Sequence, residues 1–294
     1  MEVGKMYFQV SRDWIAVAIT VGSCIGIIAG TDPAGAGPFN DPGHLPAEMA
    51  AWATSVDDSM AGPVDIAQPG LGVASFGMPS LVLGPSLTGG AVGAGDVFSL
   101  GDAGFITLYF EDGIADGIGN DFAVFENGFV DQGSGLFFGE FAFVEVSTDG
   151  IDFARFPSTS LQPTLVGPFG VVDPSDYDNL AGDQMIGVGT GFDLHELSDH
   201  PLVLDTTIEL TDVRFVRVVD VIGDGSTTDD GGMSIYDPYA TPFASGGFDA
   251  EAVGVLHTVP EPGSLPSLGA GLMALVLVVR TRVRDRRGSC PPAR

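Results

Sequence analysis

The sequence predicts a mainly β protein, and three observations carry that reading. Phe141 to Ser147 alternates apolar and polar residues, Asp149-Gly150 follows, and Asp152 to Phe156 resumes the pattern; Asp-Gly between such runs favours the positive φ of a tight hairpin. Two further strand-like runs, Asp121 to Phe129 and Val213 to Val221, lie to either side of it. Phe105 to Phe110 is apolar almost throughout, as in a strand covered on both faces.

The charge is unevenly spread. Only Arg155, Arg214 and Arg217 supply positive charge between residues 31 and 258, against 35 acids, so this interval carries a formal charge of −32. Such a body repels nucleic acid and anionic lipid and attracts cations. Aspartates outnumber glutamates 29 to 10 over the whole chain, and many sit beside glycine. They read either as cation ligands or as a solvated surface. The two cysteines, Cys24 and Cys290, leave none between, so an exported body must be held by its core or by metal.

Residues 1–30 have the layout of a secretory signal peptide: Lys5 and Arg12, then an apolar run from Trp14 to Ala29 too short for a stable membrane span. Residues 31–95 form a Gly/Pro-rich lead-in with one expected helix, Pro46 to Met60, because Ala, Glu and Met favour helix and Pro46 suits its first turn. Trp52 within it is either a packing residue or a sugar-stacking platform. The β domain is expected over 96–258.

Candidate metal ligands fall in two glycine-rich loops. Asp220, Asp224, Asp229, Asp230 and Asp237 form the main set, because glycines let the backbone curl until several carboxylates meet one hard cation; the ion expected is calcium. Asp112, Asp116 and Asp121 form a second set, with outward-facing loop acids as its plain alternative. On the strand 213–221, Arg217 shares a face with Phe215 and Val219, so an acid partner, Glu145 or Glu126, is expected. His195 and His200 are five apart and precede Pro201, which does not fit a helical zinc motif.

Residues 259–294 combine Pro260-Glu261-Pro262, the apolar stretch Leu265 to Val279 and an arginine cluster from Arg280 to Arg287. Fifteen residues at about 1.5 Å each span roughly 22 Å, less than a ~30 Å bilayer core. This tail resembles the PEP-CTERM protein-sorting signal. The resemblance implies processing by an exosortase in exopolysaccharide-producing Gram-negative bacteria, with the membrane as partner through the C-terminal helix before cleavage. The body is similar to exported bacterial surface proteins that carry this tail, through SLGDAGFITLYF, NDFAVFENGF, AFVEVSTDGIDFARFP, VRFVRVVDVIGDG and IYDPYATPFASGGFDAEAVGVL. VEVSTDG and RFVRVVD are also similar in pattern to discoidin-type, galactose-binding-like jelly rolls, which often hold structural calcium. That likeness implies a jelly-roll-like β-sandwich and transfers no ligand; the signal peptide and the sorting segment are expected to add two terminal apolar helices.

Three functions follow. The first is a non-catalytic surface or matrix protein, calcium-stabilised and binding exopolysaccharide. No G-x-S-x-G elbow, HExxH or P-loop appears in the chain. The second is a secreted glycan hydrolase drawing paired carboxylates from Asp121, Glu126, Glu140 and Glu145. The third is a single-span membrane protein whose tail is retained.

Overall fold

The apolar run at Phe105 becomes one strand of ten residues, Phe105–Ile114. It belongs to a computed structural model that describes residues 37–40, 42–86, 97–131 and 136–260. The expected signal peptide, the sorting helix, and Glu261 and Pro262 lie outside these residues, while Pro260 ends them, exposed. Among the described residues no helix is long and apolar enough to cross a membrane.

Among the described residues nine strands form two main sheets: β1 (Ala51–Trp52), β2 (Ser55–Met60), β3 (Phe105–Ile114), β4 (Phe122–Phe125), β5 (Ala142–Ser147), β6 (Ala154–Arg155), β7 (Gly189–Phe192), β8 (Val213–Asp220) and β9 (Ala252–Val255). The order is β2-β3-β8-β5-β6 in the five-stranded sheet and β1-β9-β4-β7 in the four-stranded one. All pairings within them are antiparallel. The protein is thus mainly β.

Alternation decides which side chains are buried. On β8, Val216 and Val218 are buried while Phe215, Arg217 and Val219 lie on the other, partly open face. The buried cluster draws on both sheets: Ile106, Leu108, Val144, Val146, Val216 and Val218 from one, Phe122, Val124, Phe192, Val253 and Val255 from the other. Three phenylalanines join them. Phe122 stacks on Phe192 at 5.4 Å between centroids, and Phe156, just beyond β6, meets Phe192 edge-on at 5.1 Å.

The opposite face of the four-stranded sheet carries a smaller cluster in which Trp52 packs on Phe125 at 5.5 Å. Trp52 is therefore a packing residue.

Two local expectations need correction. Pro46 to Met60 is not a helix: only Pro46–Glu48 makes a 3-10 turn, and β1 and β2 follow. Pairing with β3 and β9 overrides the helix propensity of Ala, Glu and Met. In β2 the register shifts between Val56 and Asp58, and exposed Asp57 and Asp58 put charge on a sheet edge, which discourages further strand addition. The hairpin is also looser than Asp-Gly implies. Glu145↔Arg155 and Val146↔Ala154 are its paired residues, and Asp149 organises the loop by accepting from Ile151 N (2.8 Å) and Asp152 N (3.0 Å), with Gly150 at φ +76°.

Candidate functional site

Antiparallel pairing concentrates carboxylates at strand ends. Phe122 of β4 pairs with Phe192 of β7, so Asp121, one residue before, and Asp193, one residue after, are neighbours at the same sheet end. Asp116 comes from the segment following β3. The ligand oxygens of Asp116, Asp121 and Asp193 all lie within 4.8 Å of one another, the only such group of three among the described residues.

Asp121 is fully buried and heavily bonded. Its Oδ1 accepts from Gly117 N at 2.7 Å and meets His257 Nδ1 at 2.8 Å, and its Oδ2 accepts from Leu194 N at 2.8 Å. Burial raises its pKa; these hydrogen bonds offset part of the rise, and the Asp193 charge adds to it. Asp193 also accepts from His195 N at 2.9 Å, capping the 3-10 turn Leu194–Leu197. His195 Nδ1 stands 3.7 Å from Asp116. A side chain at Gly117 would strike the His257 ring at 2.2 Å, so glycine is what lets the imidazole lie over that loop. Two members of the second expected metal set are therefore together, whereas Asp112 lies exposed on β3, outside the group.

The other ends of the same strands hold a larger collection. Phe125 pairs with Ala252, which sets Glu126 beside Glu251. Asp220 pairs with Ala142, close to Glu140, and Val219 pairs with Phe105, near the loop of Asp102. Asp102, Glu126, Glu140, Asp220, Asp237, Asp249 and Glu251 are all buried. None is paired with one of the three described arginines: Arg155 and Arg217 bind Glu145, and Arg214 binds Asp212.

Neutral donors hold these acids instead. Asp220 accepts from Phe248 N (2.7 Å) and Ala103 N (3.0 Å), Asp237 from Phe141 N (3.0 Å), Glu140 from Thr241 Oγ1 (3.1 Å), and Glu251 from Ser86 Oγ (3.0 Å). Asp249 accepts from Asn127 Nδ2 (2.9 Å) and from Ser99 Oγ. Burial, then the charges of Asp249, Asp237, Glu126 and Asp220, push Glu140 well above the usual carboxylate range. Burial and Asp249 do the same to Glu126, and burial and Asp237 to Asp220. Burial likewise raises Asp237, Asp249 and Asp102. Burial and mutual repulsion thus shift each of these groups toward its protonated form.

The main expected metal set divides. Asp220 and Asp237 belong to this acidic end, and Asp224, which accepts from Ser226 N, lies near enough to add its charge to Asp237 and Asp102. Asp229 and Asp230 are turned away, holding the segment 158–160: Asp229 accepts from Ser160 N (3.0 Å) and Asp230 from Ser158 N (2.7 Å). Glu145 faces Arg217 across the β8–β5 pairing at 3.6 Å, but its closer partner is Arg155 at 2.7 Å. Arg217 also lies over the Phe153 ring, 3.6 Å from its centroid. Glu126, the other partner expected for Arg217, is instead at the acidic strand ends, where its carboxylate accepts from Gly128 N.

Asp193, Asp102, Asp249 and Glu251 were not singled out by the sequence reading. The signal available was position, an acid immediately flanking a strand, but its value depends on knowing which distant strands pair.

A scan against protein-family models finds no match to the chain, and a search of curated proteins finds none either.

Proposed function

We propose that the chain is an exported, non-catalytic surface or matrix protein whose β body is stabilised by calcium, with Asp116, Asp121 and Asp193 as its principal ligands. The observation carrying this reading is the convergence of three carboxylates from separate segments within 4.8 Å. Three such charges together need either protons or a cation. Oxygen donors suit a hard ion, and calcium takes six to eight oxygens, so backbone carbonyls and water would complete the shell. Asp220 and Asp237 could serve a second ion at the opposite strand ends, where calcium would displace protons.

The same reading takes the two sheets as layers of a jelly-roll-like β-sandwich, supported by the one buried cluster to which both contribute. Export and exosortase processing, with a cell-envelope or extracellular location and exopolysaccharide as partner, rest on the two ends of the sequence. Mass spectrometry of the mature termini tests this; a protein retaining the C-terminal segment would instead be a single-span membrane protein.

Thermal unfolding tests the metal. Calcium at about ten times its Kd should stabilise the fold by ~1.4 kcal/mol, a rise of roughly 3–6 °C over the same sample in EDTA. The Asp116→Asn/Asp193→Asn double variant should keep its fold and lose most of that rise. An unchanged shift in the variant, or no shift in the parent, would count against this centre.

One observation favours the hydrolase reading. Glu140 and Asp249 line the same open cleft. Yet burial raises both carboxyls, whereas acid–base chemistry needs environments that drive two groups apart. Of the other carboxylates considered for catalysis, Glu126 shares this acidic end and is raised by burial as well, whereas Asp121 is at the opposite strand ends and Glu145 is held by two arginines. Binding is the better reading.

A further inference from the structure

The cleft above Glu140 and Asp249 has an unusual lining. Its volume is about 280 Å³, and its walls are Phe129 and Phe138, paired across a short antiparallel ladder, and Phe169 and Phe243, carried by two separate loops. Phe129 stacks on Phe138 with centroids 5.0 Å apart, and Phe169 meets Phe243 at 5.5 Å. Phe129, Phe169 and Phe243 are 51%, 69% and 45% exposed, a concentration of apolar ring surface that solvent alone does not favour.

Its two lining acids accept, and its lining side-chain donors are Asn127, Thr241 and Ser245. Asn127 Nδ2 and Thr241 Oγ1 are already committed to Asp249 and Glu140. No described arginine reaches the cleft. An anionic ligand would be repelled, and a sugar would find few free donors to match its acceptors. A hydrated divalent ion gains nothing from phenyl walls, which carry no ligand atoms. Moreover, among the described residues Glu140 and Asp249 do not join a third acid or histidine at metal-ligand spacing. A weakly hydrated organic cation uses both features, because ring faces attract positive charge and the buried acids neutralise it.

We propose that this cleft binds a small alkylammonium group, quaternary or tertiary, seated between the two phenylalanine pairs above Glu140 and Asp249. The proposal is independent of calcium at Asp116, Asp121 and Asp193, which lie at the opposite strand ends.

Calorimetric titration of the full chain with tetramethylammonium chloride, in buffer containing calcium, tests it. One cation per chain should bind. The Phe169→Ala/Phe243→Ala variant, truncating two exposed rings, should weaken binding about tenfold or more at unchanged melting temperature. Neopentyl alcohol, a neutral molecule of similar shape, should bind at least about tenfold more weakly than the cation. Glu140→Gln keeps an acceptor for Thr241 but removes the charge, and should weaken the cation selectively. Absence of heat with the parent, equal binding of the neutral alcohol, displacement by added calcium, or no loss in either variant would each overturn the proposal. Binding of a neutral oligosaccharide that is lost in the phenylalanine variant would overturn it too, in favour of a glycan site.

Discussion

Calcium-free protein should lose stability progressively as pH rises from about 4 towards 8, because folding raises the pKa of several buried acids. The sign follows from the buried acids. Glu126, Glu140, Asp220 and Asp237 are raised well above their ordinary values of 4.5 for Glu and 3.8 for Asp. Their contribution is full below those ordinary values and disappears as pH climbs through the raised ones. Asp149 acts oppositely: hydrogen bonds from Ile151 N and Asp152 N lower its pKa, so its contribution is lost on acidification below about 4. Both contributions coexist from about pH 4 up to the raised values, which places the calcium-free optimum in mildly acid solution. Urea unfolding across a pH series in EDTA measures the curve; a flat or rising profile between pH 5 and 8 would contradict it.

Asp237→Asn is a sharper form of the same test. Asparagine keeps a carbonyl oxygen for Phe141 N while removing a buried charge, so without calcium at neutral pH it should stabilise by about 1–2 kcal/mol. If Asp237 also holds calcium, the variant should be the less stable protein once calcium is added.

Phe156→Ala should cost about 3–5 kcal/mol, a large share of the roughly 5–15 kcal/mol that holds a domain together. Phe156 is 1% exposed and touches Phe122 and Phe192, so truncation empties the place where the end of the five-stranded sheet meets the four-stranded one. Its neighbours are strand residues tied by backbone bonds and cannot readily collapse into the space. Phe156→Leu should recover much of the loss. Equilibrium urea unfolding of both variants checks this, and a cost below about 1 kcal/mol for alanine would show that the aromatic junction is not a principal contact.

The β character was legible because its signals are local. β5 and β8 follow the alternation of Phe141 to Ser147 and Val213 to Val221, and β3 follows the apolar run from Phe105. Pro46 to Met60 was misread because residue propensity there points to helix, whereas the deciding contacts, Ser55↔Tyr109 and Ala51↔Val255, are with strands far along the chain. The candidate sites were half legible for the same reason. Asp116 and Asp121 are near in sequence, but Asp193 joins them only through the β4–β7 pairing. Asp229 and Asp230 look like cation ligands in a glycine-rich loop; their backbone partners, Ser160 and Ser158, are about seventy residues away.

The three arginines of the described body have one more consequence. Trypsin-like proteases cut after Arg or Lys, and between residues 37 and 260 the only such positions are Arg155, Arg214 and Arg217. All three lie within paired strands, Arg155 in β6 and the others in β8, the middle strand of the five-stranded sheet. A peptide bond locked in a sheet cannot enter a protease cleft until the sheet opens. Such enzymes would therefore digest this body in proportion to the fraction of molecules whose sheet is open, so where reclosing outpaces cleavage its lifetime among them would follow its folding free energy.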